Sequence, residues 1–156
     1  MPFRFSLEAV LDYRERMEEQ RRREYSEAER EVNRVENLLA QAEENRRSNR
    51  RDLDRVMLET GGGGRQQIYM DYLRGLDRLM ERTREHLETL KKEMERRRVL
   101  LEYAVRQRRI MEELRKDERR VHELEERRAE TKEYDAMGIR NYLAAERAKF
   151  SAEGKG

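Results

Sequence analysis

The run Gly61-Gly62-Gly63-Gly64 constrains this chain more than any other feature. Each glycine is roughly 1 kcal/mol worse than alanine inside a helix, so four in succession end one. On both sides the sequence is patterned as long helix, and the one proline, Pro2, lies outside both arms. Two helices joined by so short a link predict a hairpin. Helix one is expected over 6–60, the turn over 61–65, helix two over 66–137 and a tail over 138–156. The expected fold is all-α: a long antiparallel two-helix coiled coil, one domain, with the second helix overhanging the first.

The pattern behind this reading is a 3-4 spacing. In the first arm it runs Leu7, Leu11, Arg14, Glu18, Arg21, Tyr25, Ala28, Val32, Val35, Leu39, Ala42, Arg46, Asn49, Leu53, Val56. Mostly apolar, it describes the seam of a coiled coil, with polar members as snorkelling or register-setting residues. Ser6 is the expected N-cap, Glu8 suits the first turn, and Phe5 with Val10 occupy the positions of a hydrophobic staple. In the second arm the seam runs Tyr69, Leu73, Leu76, Met80, Thr83, Leu87, Leu90, Met94, Arg97, Leu101, Ala104, Arg108, Met111. Beyond that the apolar residues shift phase to Leu114, Val121 and Leu124.

A reversal between Gly62 and Gly63 makes facing residue numbers add to about 125. Leu39 then faces Leu87, Val32 faces Met94, Val56 faces Tyr69, Leu11 faces Leu114 and Leu7 faces Glu118. The paired section is about 80 Å long, and residues beyond about 120 have no partner in the first arm. That overhang carries Tyr134, Met137, Ile139, Tyr142 and Leu143, and Gly138 is placed to end or kink the helix. The segment from Ser151 to Gly156 reads as disordered.

Composition fits a seam and little else. Charged residues make up 46% and apolar ones 35%, too little for a thick core. Lys and Arg number 37 against 35 Asp and Glu, and the signs interleave. A nucleic-acid binder concentrates its basic charge in one stripe, so nucleic acid is not an expected partner. No cysteine is present, which removes disulfides and thiolate chemistry. His86 and His122 stand far apart and read as surface or seam residues rather than ligands or bases. The glycine run lacks the Lys-Ser/Thr ending of a phosphate loop. No catalytic, metal or cofactor site is expected, and the protein reads as a non-enzyme. With no signal-peptide pattern and no long apolar span, it is expected in the cytoplasm without direct membrane insertion.

Phe3-Arg4-Phe5-Ser6-Leu7-Glu8-Ala9-Val10-Leu11-Asp12-Tyr13-Arg14 resembles the N-terminal signature of the flagellar FliJ family, Phe-x-Phe-x-Leu-x-x-Val-Leu-x-x-Arg. Lys132-Glu133-Tyr134-Asp135-Ala136-Met137-Gly138 is similar to a second family segment, with Ala136 where an acidic residue is usual. The resemblance implies a cytoplasmic component of the bacterial flagellar type III export apparatus, peripheral to the inner membrane. Its implied partners are the hexameric export ATPase, the export gate membrane protein and export chaperones. The implied role is a stalk that enters the ATPase ring and promotes its assembly and activity. Expected ring contacts are Leu7, Val10, Leu11, Arg14, Leu114, Val121 and Leu124. Tyr69, Tyr72, Leu76, Leu79 and Thr83 resemble the family's gate-docking stripe, while Ala42, Asn45, Arg46 and Asn49 stand where aromatic residues are frequent. An export chaperone or its escort, the stalk of a virulence secretion system, and a generic coiled-coil scaffold or a basic-helix DNA binder remain as alternatives, the last disfavoured by the interleaved charge.

Overall fold

The structure is a computed structural model of the chain and describes residues 1–61 and 63–154. Regular structure among them is entirely helical: α1 spans Glu8–Thr60 and α2 spans Gly64–Glu153, and the two pack against each other. Gly61 ends α1. Its φ of +66° is left-handed, and its N–H donates to the Met57 carbonyl at 3.1 Å, the αL form of a helix C-cap. Gly63, at φ +112°, takes a conformation that a side chain would strain. Helix α2 begins at once with Gly64, earlier than expected, and Gln67 N–H donates to the Gly63 carbonyl at 3.4 Å.

Two expectations about helix ends are corrected. Helix α1 starts at Glu8, with Leu7 rather than Ser6 supplying the first accepting carbonyl, to Leu11 N–H at 3.0 Å. Ser6 is drawn away by a carboxylate on α2. At the other end, α2 runs through Gly138 to Glu153, past the expected stop near 137. One glycine costs only about 1 kcal/mol, and Ala136, Met137, Arg140, Leu143, Ala144 and Ala145 around it are good helix formers. The expected disorder over Ser151–Gly156 is corrected as far as Glu153; Lys155 and Gly156 lie outside the described residues.

Contacts divide the chain into two units, Arg14–Gln107 and Met1–Tyr13 with Arg108–Gly156. In the first, the seam is where the spacing put it. Ala28, Val32, Val35, Leu53, Leu73, Leu76, Met80, Leu87 and Ala104 are buried. Val32, Val35 and Leu87 form one cluster, with Leu39, Leu90 and Met94 packed against it, so the expected neighbours share a layer. Ion pairs on the flanks hold the same register: Arg46–Asp77 at 2.6 Å, Glu43–Arg84 at 3.4 Å and Glu36–Lys91 at 3.1 Å. All stay within a few residues of the expected sum of about 125. Exposed pairs of this kind contribute about 0–1 kcal/mol each, so they select register more than they stabilise.

The polar seam positions resolve individually. Glu18 is buried at 7% exposure, and Arg22 Nη2 donates to its carboxylate at 2.8 Å. Arg97 lies in the seam and donates from Nη1 to the Glu24 backbone carbonyl at 2.8 Å. Arg46 swings out of the seam to Asp77 and is exposed.

Candidate partner-binding surfaces

In the unit formed by Met1–Tyr13 and Arg108–Gly156, a non-helical arm docks on α2 before α1 begins. Three contacts fasten it. The Met1 ammonium meets Glu126 Oε1 at 3.3 Å. Phe3 sits edge-on to His122, with centroids 5.6 Å apart. Ser6 donates its hydroxyl to Glu118 Oε1 at 2.5 Å and its N–H to Oε2 at 3.2 Å. Phe5 and Leu11 are buried, at 7% and 1% exposure. Ser6 with Glu118, Phe3 with His122 and Met1 with Glu126 keep close to the expected sum of about 125, so the arm continues the seam's register beyond α1 and gives α2 a partner out to Glu126.

Leu7, Val10, Leu114, Val121 and Leu124 lie on the outside of this unit, 37–54% exposed. Leu11 is instead enclosed, and Arg14, in the other unit, is half-buried. The expected phase shift of the seam is corrected here. Met111, Glu118 and His122 are half-buried, continuing the original 3-4 spacing, while Leu114, Val121 and Leu124 face out. The arm rewards this: its hydroxyl, ammonium and aromatic ring are served better by Glu118, Glu126 and His122 than by leucines.

From Glu123 to Gly154 every residue of α2 and its end is exposed. Tyr134, Ile139, Tyr142 and Leu143 line a shallow groove around Gly138 and Asp135, the apolar part of the overhang.

In the Arg14–Gln107 unit, the five residues expected at the gate divide by face. Leu76 is buried and Tyr69 and Thr83 are half-buried in the seam. Tyr72 and Leu79 are exposed at 47% and 55%, along with Ile68 at 69%. Ile68 was missed; it stands four residues before Tyr72, and continuing that stripe backwards would have found it.

No group of three His, Asp or Glu among the described residues is arranged to hold a metal ion. No helix among them is long and apolar enough to cross a membrane.

These features define a two-helix coiled-coil protein whose distinctive surfaces are exposed apolar and charged faces. Comparison with known proteins narrows the class. The chain belongs to the FliJ family: the family model described as Flagellar FliJ protein matches residues 3–147. That family is a non-enzymatic component of flagellar export, associated with the export apparatus. No curated protein and no solved structure matches the chain.

Proposed function

We propose that this protein is the central stalk of the flagellar export ATPase. The unit carrying Met1–Tyr13 and α2 beyond Arg108 enters the hexameric ring and promotes its assembly and ATP turnover. The carrying observation is the exposure of Leu7, Val10, Leu114, Val121 and Leu124 on the unit that holds the family's N-terminal motif. A ring pore admits elements one or two helices wide, each about 10–12 Å across. A six-fold ring and a single chain differ in symmetry, so contacts must be remade easily; small apolar patches among charges suit that. Leu11, enclosed within this unit, supports that surface rather than forming it. Tyr72 and Leu79 are the members of the gate stripe free to meet the export gate. The protein works in the cytoplasm at the flagellar base.

The test is stimulation of the cognate export ATPase by the full chain. Increased turnover and more ring-sized assemblies are expected; no stimulation of a competent ATPase contradicts the proposal. The groove at Tyr134, Gly138, Ile139, Tyr142 and Leu143 favours a second reading, capture of export chaperones. That reading expects a stable complex with a chaperone that is lost on Tyr142→Ala; recovery of only ATPase and gate rejects it.

A further inference from the structure

We infer that the groove between the N-terminal arm and α2, lined by Phe3, Arg4, Phe5, Glu8, Arg115 and Arg119, binds an acidic segment of a protein partner. Three guanidinium groups face one carboxylate there. Arg115 reaches Glu8 at 4.0 Å, the outer limit of an ion pair. Among the described residues, Arg4 and Arg119 have no carboxylate within ion-pair distance.

Two carboxylates nearby are committed to the arm. Both oxygens of Glu118 are taken by Ser6. Glu126 holds the Met1 ammonium and stands 3.7 Å from His122. Docking the arm therefore uses up acidic groups that would otherwise neutralise the arginines. A neighbouring groove shares Arg115 and Arg119 and adds Lys116 and Glu112, extending the same positive balance.

The groove is also preorganised. The Arg119 guanidinium lies 5.6 Å over the Phe3 ring, and Phe5, in the same arm, is buried. A stacked guanidinium loses less side-chain freedom on binding and keeps its planar fork free for a carboxylate. Glu8 and Glu112 at the edges oppose a continuous phosphate backbone, which needs a longer basic stripe. An Asp- or Glu-bearing helix or loop with apolar neighbours fits the arginines and the phenylalanine floor together. This inference rests on the stalk reading, with the acidic segment on the wall of the ATPase pore.

Binding of full-length chain to the cognate ATPase at low and high salt tests it. Arg4→Glu with Arg119→Glu is expected to weaken binding about tenfold or more and to flatten its salt dependence. Arg4→Gln, which leaves the contacts of Met1, Phe3 and Ser6 that fasten the arm in place, is expected to cost about threefold. Arg119→Lys keeps the charge but loses the stacked fork, so its affinity is expected to fall between the parent and the double variant, and Arg30→Glu, in the other unit, has no effect. Circular dichroism confirms equal helicity. Parent-like affinity and salt dependence in both Arg4 variants overturns the inference and leaves ATPase stimulation standing. A loss in Arg119→Lys as large as in the double variant also overturns it, as does duplex DNA displacing the ATPase. A parent chain that neither binds nor stimulates the ATPase overturns the inference and the stalk reading together.

Discussion

Arg97 of α2 donates through Nη1 to the backbone carbonyl of Glu24 on α1, at 2.8 Å. Its Nε bonds the Glu93 carboxylate on its own helix at 3.2 Å. One guanidinium thus ties the two helices at a position where an apolar seam residue would have only packed. Its fork serves two acceptors in two directions, which a lysine ammonium cannot reproduce. Arg97→Ala is expected to destabilise by about 1–2 kcal/mol, and Arg97→Lys to recover little of that. Urea unfolding monitored by circular dichroism checks both; a fully restored midpoint in the lysine variant contradicts the tie.

The glycines divide into required and tolerated. Gly63, at φ +112°, is required by the reversal, whereas Gly75 lies in α2 with open space around its absent side chain. Gly63→Ala is expected to lose about 1–2 kcal/mol from backbone strain. Gly75→Ala is expected to gain about 0.5–1 kcal/mol from helix propensity. Opposite shifts in thermal midpoint are the signature, and shifts of the same sign contradict this division.

Acid stability follows from three carboxylates. Hydrogen bonding to Arg21, then to Gln20, holds Glu24 below the ordinary value of 4.5. Arg34 does the same for Glu31, and Arg98 for Glu95. A carboxylate with a lowered folded pKa contributes stability above its unfolded value and loses it as pH falls through the folded one. Thermal midpoints are therefore expected to stay level through the neutral range and to fall below pH 4.5, the ordinary carboxylate value. Glu31→Gln is expected to shallow that fall. All three carboxylates remain partly or fully open to solvent, so high salt is expected to shallow it as well.

Much of this architecture was legible because a coiled-coil seam is a one-dimensional code. Of the fifteen positions read along helix one, only Leu7 and Arg46 are exposed. Leu7 precedes the helix, and Arg46 found Asp77 outside the seam. The sequence was misleading where the partner of α2 ceases to be a helix. From Glu118 onward α2 faces a non-helical arm, so polar Glu118 and His122 turn inward while Val121 and Leu124 turn out. Hydrophobicity alone weights those positions the wrong way. Ser6 was misread for the same reason: its residue type suits an N-cap, and only a tertiary contact to Glu118 redirects it. The surface divided likewise: spacing gave the alternatives at Tyr72 and Leu79, but the groove at Arg4 and Arg119 depends on the arm's path across α2.

The central claim is that the unit bearing the N-terminal arm is the part that meets the export ATPase. Photo-crosslinking groups placed at Val121 and Leu124, both exposed there, and at Leu58, exposed beside the glycine turn in the other unit, test it most directly. With the assembled ATPase, crosslinks are expected from Val121 and Leu124 to residues lining the pore, with none from Leu58. Efficient crosslinking from Leu58 to the pore, with silence at Val121 and Leu124, would contradict the account.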